Sequence, residues 1–345
     1  MPREEATLMT TRRKILKQMA VAGAVTGLPA LVTRAGAAEP VSVSTPLGFT
    51  LDFFDMMNAY SGGHYAKQGL DCKVIGANNG VQMTQLVVAN QVTFGRGGTT
   101  DLFRLAAAHQ PMPLSIASID QDCVFRVYSL KEKPIREPKE FRGKVVGLIT
   151  LASATGIYLD VMLADAGLKP DDVERQAVGG TPGALEILKK GRVDCFIGPM
   201  TLEVAFTRAH EPVEAWNPDK YLPLPGQCYL AMKETLAAKP DTAVRFLKAI
   251  KASVEEMFHE PLVPLVKRAA KDFDIPGASD PDLAAAMIQA SLTLKSTRPD
   301  RSDLMLNIPE RWQAGADAMR KAKIADIADA GTLYTNNYIE KALKD

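Results

Sequence analysis

Four short loops carry the polar groups that could do chemistry in this chain: Asn78-Asn79-Gly80, Gly97-Gly98-Thr99-Thr100, Ser153-Ala154-Thr155 and Gly179-Gly180-Thr181. Each follows an apolar, strand-like run and precedes a helical pattern. Each therefore presents free backbone N–H groups, a small hydroxyl or amide, and the positive end of a helix dipole. Such a place fits an anionic or strongly polar ligand group. The same Ser, Thr and Asn residues also serve as ordinary helix caps, so capping alone stands beside the binding reading. The candidate ligand contacts from these loops are Asn78, Asn79, Gly98, Thr99, Thr100, Ser153, Thr155, Gly180 and Thr181. Phe49, in the loop after the first strand, and Tyr65 could stack on a flat ligand. Gln121, Met200 and Gln227 lie near the mouth of the cleft such loops would form. Arg96 is either the bidentate partner of a carboxylate or sulfonate, or a solvated rim charge.

Bond-making chemistry has less support. His64, His109, His210 and His259 are far apart, and none forms an H-E-x-x-H spacing. No G-x-S-x-G elbow and no G-x-x-x-x-G-K-[ST] loop occurs, and the run from Gly95 to Thr100 fails the dinucleotide pattern because position 100 is Thr. The expectation is a binding protein and not an enzyme, with no metal and no cofactor. Cys72, Cys123, Cys195 and Cys228 show no C-x-x-C pair. Cys72 and Cys195 sit in apolar runs. Cys123 and Cys228 fall where the chain is expected to cross between two halves, where a disulfide is an option in an oxidising compartment.

The elements that must position these loops alternate. Residues 41–45, 70–75, 92–95 and 113–118 read as strands, and 51–67, 81–89 and 100–108 as helices between them. The alternation restarts with strands at 144–149, 173–178 and 193–197 and helices at 153–166 and 181–190. Two α/β units with mainly parallel sheets follow. Two Pro-bearing stretches, 131–140 and 221–227, read as connections. Beyond them Pro240 opens a helix with Val244, Leu247, Ile250, Val254 and Met257 on one face, followed by helices at 280–294, 309–321 and 335–343.

The sequence has 345 residues, with 41 basic and 40 acidic side chains, and is 46% hydrophobic, an ordinary globular composition. Six basic and two acidic residues lie in the first 37, leaving 35 basic against 38 acidic residues, a net charge of −3. Such a body has no electrostatic reason to coat nucleic acid. At the start, Arg12-Arg13-Lys14-Ile15-Leu16-Lys17 precedes an apolar run over 19–32 and then Ala35-Gly36-Ala37. That order is an export signal cut near Ala37, and the arginine pair resembles the twin-arginine consensus. The apolar run is too short to span a bilayer.

Residues 137–148 (EPKEFRGKVVGL), 167–173 (GLKPDDV) and 184–196 (ALEILKKGRVDCF) have an order and spacing that resemble type 2 periplasmic solute-binding proteins of ABC importers. Gln68-Gly69-Leu70-Asp71 and Asn90-Gln91-Val92-Thr93-Phe94-Gly95 are similar to the branch that binds aliphatic sulfonates and thiamine-precursor pyrimidines. The resemblance spans about 41–257. It implies an α/β, two-lobed fold, each lobe a mainly parallel sheet flanked by helices, with a helical C-terminal region. The lobes would be 41–124 plus 228–345, and 125–227, after a signal peptide at 1–37. It further implies a periplasmic monomer, for which Arg12-Arg13 points to export by the twin-arginine machinery, with a Sec signal as the alternative. That protein would capture a small organic anion or nitrogen heterocycle by hinge closure and deliver it to an ABC permease with a separate ATPase. Some relatives are instead pyrimidine synthases that consume their own histidine and use a lysine-bound cofactor. His64 lies near the equivalent helix, but the cysteine-rich motif of those enzymes is missing. A solute sensor feeding a membrane signalling partner would share the same cleft.

Overall fold

A computed structural model describes residues 37–344, so the twin-arginine segment lies almost wholly outside the described residues. Ten strands are described: β1 (Glu39–Thr45), β2 (Leu70–Gly76), β3 (Phe94–Gly98), β4 (Leu114–Asp120), β5 (Phe125–Leu130), β6 (Val145–Leu148), β7 (Glu174–Ala177), β8 (Cys195–Pro199), β9 (Val213–Trp216) and β10 (Gln227–Ala231). They form two five-stranded sheets, ordered β2-β1-β3-β10-β4 and β7-β6-β8-β5-β9. β1 pairs in parallel with β2, placing Val41 opposite Cys72 and Val43 opposite Val74, so one apolar row of each strand faces the same core.

In each sheet four strands run one way and one runs against them. The reversed strand is β10 in the first sheet, antiparallel to β3 and β4, and β5 in the second, antiparallel to β8 and β9. Both reversed strands follow a passage between the sheets, at 121–124 and 217–226. The two passages touch: Gly226 N donates to Asp120 O at 2.7 Å, and a Cβ at Gly226 would stand 2.3 Å from Asp122 O. Only a residue without a side chain fits there.

Helices α1 (Phe54–Ser61), α2 (His64–Lys67), α3 (Gly80–Val88) and α4 (Thr99–Ala107) belong to the first lobe, and α5 (Ala154–Asp165), α6 (Ala184–Lys189) and α7 (Thr201–Arg208) to the second. The helix expected over 51–67 is broken, because Gly63 takes φ +69° and separates α1 from α2. The chain returns through α8 (Lys233–Ala238) and α9 (Pro240–His259), whose Phe246, Leu247, Ile250 and Val254 are buried against the first sheet. After α10 (Leu262–Ala269), α11 (Pro281–Leu292) packs against α7 of the facing lobe, and Arg208 and Asp280 meet there at 3.6 Å. α12 (Pro309–Lys321) and α13 (Ile339–Leu343) complete the helical tail.

β5, β9 and β10 were not expected as strands, and α7, α8 and α10 were not expected as helices. All four cysteines are free buried thiols, so Cys123 and Cys228 are not joined. Burial pushes Cys72, Cys123 and Cys228 each up to about 12, which makes them inert.

Candidate functional site

The carboxyl ends of strands from both sheets meet around a cavity of about 110 Å³. Strand register builds one wall: Gln227 at the start of β10 stands opposite Gly98 on one side and Asp120 on the other, and all three line the cavity. The facing wall comes from the turn after β6, with Ile149, Thr150 and Ser153, and from the end of β8, with Pro199, Met200 and Thr201. Leu47, Phe53, Val124, Phe125 and Leu294 make most of the remaining lining apolar.

Five expected contacts therefore line the cavity: Asn79, Gly98, Ser153, Met200 and Gln227. Two of them also serve their own helices or turns. Asn79 Oδ1 accepts the Gln82 backbone N–H at 2.9 Å and caps α3. Ser153 Oγ donates to Thr150 O and lies 2.7 Å from Thr155 Oγ1, which in turn accepts from the Ile149 backbone N–H. This ring of bonds fixes the turn and leaves the N-terminus of α5 without a side-chain cap.

The other candidates are placed elsewhere. Phe49 is half-buried outside the cavity lining and packs its ring on Phe273, 5.1 Å between centroids. Tyr65 is buried beside Phe246. Asn78 donates its backbone N–H to Gln82 Oε1, Thr99 Oγ1 donates to Pro225 O at 2.6 Å, and Thr100 is buried off the cavity. Thr155 is buried in the ring just described. Gln121 is fully buried, and its amide donates to Asp303 O and Leu306 O, fastening the first passage to the helical tail. Gly180 lies behind Leu47, Ile149 and Pro199, and Thr181 is exposed. Arg96 is neither a rim charge nor a free partner for a ligand. It is fully buried, donating to Asp52 O at 2.9 Å and Asp120 Oδ2 at 3.0 Å, with Asp55 at 3.4 Å.

Sequence reasoning missed the three acids of the cavity, Asp52, Asp101 and Asp120. Asp120 has both oxygens engaged, by Arg96 and by the buried Lys295 Nζ at 2.6 Å. Asp101 Oδ1 receives Arg104 at 3.1 Å, and its Oδ2 lies so near Gly80 that a Cβ there would stand 2.8 Å away. Asp52, in the turn before α1, accepts the Thr201 hydroxyl at 3.0 Å from the facing lobe. Burial raises the pKa of Asp52 against the opposing pull of Thr201 and Arg96, and burial likewise raises Asp101 against Arg104. Among the described residues no Lys, Arg or His lines the cavity, and no group of His, Cys, Asp and Glu is arranged to hold a metal ion.

Residues 51–262, more than half of the chain, match the NMT1/THI5-like family. The chain belongs to that family. Its curated relatives include the 4-amino-5-hydroxymethyl-2-methylpyrimidine phosphate synthase THI5 of Saccharomyces cerevisiae, 24% identical over 296 residues, 81% of this chain and 82% of the relative. Among solved structures, a protein of Bordetella bronchiseptica superposes with a TM-score of 0.71 at 19% identity, covering 89% of this chain and 97% of the other. The alkanesulfonate-binding protein SsuA of Xanthomonas axonopodis, bound to MOPS, superposes with a TM-score of 0.63 at 15% identity, covering 89% and 99%. The fold of this NMT1/THI5-like chain is thus that of the two-lobed periplasmic binding proteins. His64 stands apart from its cavity: Nε2 lies 2.9 Å from Glu256 Oε2, in a surface groove beside α9 and α10.

Proposed function

We propose that this chain is an exported solute-binding protein that captures a small nitrogen heterocycle between its lobes and delivers it to the permease of an ABC importer. One observation carries the choice of ligand: no cation lines the cavity, and while Arg96 and Lys295 neutralise Asp120 and Arg104 neutralises Asp101, the Asp52 carboxylate faces the ligand space with no cation bonded to it. An anion about 4 Å from an ionised carboxylate is opposed by about 4 kcal/mol at the effective dielectric of a partly buried site. A helix N-terminus offers at most about 2 kcal/mol in return. Two of the helix ends here are already committed, α3 to Asn79 and α4 to Asp101 in its first turn. A neutral or cationic ring bearing N–H donors meets the acids favourably, and its faces suit Leu47, Phe53 and Phe125. The pyrimidine named for the yeast relative supports the same class. The sulfonate named for the structural neighbour belongs to the class the aspartates oppose.

A thermal-shift screen against aminopyrimidines, sulfonates, carboxylates and nitrate tests this. A ligand at a hundred times its dissociation constant adds about 2.7 kcal/mol, a shift of several degrees. Stabilisation by aminopyrimidines is expected. Stabilisation by sulfonate or nitrate alone would move the ligand to the anionic class. Silence from a folded protein across all classes would remove solute capture.

The 24% identity to a synthase favours a second reading, an enzyme that makes a pyrimidine. The residues of this cavity do not fit a lysine-bound cofactor: no lysine lines it, and Lys295 is buried with its Nζ held by Asp120. Intact-mass analysis separates the readings, because an enzyme that consumes its own histidine changes mass on turnover and a binder does not.

A further inference from the structure

Asp52 differs from the other two acids of the cavity in how its oxygens are used. Asp120 is saturated by two buried cations, and Asp101 shares one oxygen with Arg104 on its own helix. The partners of Asp52 come from two lobes. Its backbone carbonyl accepts from Arg96 in the first, and its Oδ1 accepts from Thr201 in the second. No donor among the described residues reaches its Oδ2. Across the same cavity the side-chain oxygen of Gln227 is buried without a partner, so the wall presents a second open acceptor.

We propose that Asp52 sets the specificity of the cleft, its Oδ2 accepting an N–H donor of the ligand while its Oδ1 holds Thr201 of the facing lobe. This rests on the solute-capture reading. A carboxylate has lone pairs enough for both tasks at once. An amide matches this less well: Asn at position 52 either holds Thr201 with its oxygen and turns an NH2 towards the ligand's own donor, or donates to the Thr201 hydroxyl and offers the ligand a neutral acceptor in place of a carboxylate. One residue thus reads the ligand and fastens the closed lobes, and the two roles separate by substitution.

Calorimetric titration of the full chain with 4-amino-2-methylpyrimidine, methanesulfonate and nitrate, alongside Asp52→Asn and Thr201→Val, tests the assignment, with circular dichroism checking that each variant folds. The parent is expected to prefer the aminopyrimidine. Asp52→Asn should weaken that binding about 10- to 150-fold, the range of a lost hydrogen bond to a charged group. Thr201→Val, which keeps the carboxylate but removes the latch, should weaken it about 2- to 10-fold, with the order of preference unchanged. If Asp52→Asn does not fold, the Thr201→Val result and the parent's preference still decide. Undiminished aminopyrimidine binding by folded Asp52→Asn, a parent that prefers an anion, or no loss in Thr201→Val overturns the role of Asp52 and leaves solute capture standing. A folded parent that binds none of the three probes overturns both.

Discussion

Arg96 donates to Asp120 at 3.0 Å immediately behind the cavity wall, with both side chains buried. Burial works against the charge of Arg96, but Asp55 and Asp120 more than offset it, and its pKa is raised. The guanidinium also lies over the Phe53 ring, 5.0 Å from its centroid. Removing it leaves Asp55 with the Tyr229 hydroxyl and no cation, leaves Asp120 with Lys295 alone and frees the Asp52 carbonyl. Arg96→Met is therefore expected to cost about 3–5 kcal/mol in chemical denaturation, as for other broken buried pairs. A loss below about 1 kcal/mol would place the pair among surface bridges.

Gly226 marks the closest approach of the two passages between the lobes. A Cβ there meets a backbone oxygen, Asp122 O, at 2.3 Å, so relief requires the passages to separate. Gly226→Ala should lower stability by about 1–3 kcal/mol, in the range of overpacking. It should also weaken the Gly226 N–H to Asp120 O bond. Faster exchange of the Gly226 amide proton alongside a lowered denaturation midpoint is the expected pair of results, and an unchanged midpoint would show that the passages have slack.

The same passages carry a pair of acids. Asp122 and Asp219 both accept from the Cys123 backbone N–H, and Arg311 of α12 reaches Asp219 at 2.7 Å and Asp122 at 3.8 Å. Burial, and then the neighbouring Asp122, raise Asp219 to about 6 against the pull of Arg311. A carboxyl raised on folding costs stability while ionised, above pH 6, and that cost is relieved as pH falls from 6 towards 4. Glu256 acts in the opposite sense lower down. Although burial opposes it, bonds from Arg268, His64 and Asn58 hold Glu256 at about 2, so its contribution is lost only below about pH 4.5. Between pH 7 and 5 the parent should gain on Asp219→Asn by on the order of 1 kcal/mol. Denaturation curves at the two pH values check this, and a constant difference between the two proteins would contradict it.

The parallel strands were legible because each is a short apolar run between helical patterns, as with Val41 and Val43 before the stripe of α1. β5, β9 and β10 lack a flanking helix on one side, and Gln227 to Ala231 looks like the end of a Pro-Gly connection. Asn79, Gly98 and Ser153 could be read as site residues because strand-to-helix loops of α/β sheets gather at one edge. Asp52 and Thr201 could not, since 149 residues separate them and only the docking of two lobes brings them together. An acid in the first turn of a helix reads as a dipole partner, which hid Asp101 in the same way. Arg96 was misread because a charged residue beside two glycines suggests an open loop. Its strand is instead central, and its neighbours Asp55 and Asp120 arrive from separate elements.

The central claim is that the cleft takes up a solute and releases it unaltered. Equilibrium dialysis of the protein against 4-amino-2-methylpyrimidine, followed by denaturation and mass spectrometry of the recovered solute, tests it most directly. The account predicts one solute retained per chain, returned chemically unchanged, with sulfonate and nitrate failing to displace it. Retention of none, displacement by the anions, or recovery of a converted product would contradict it.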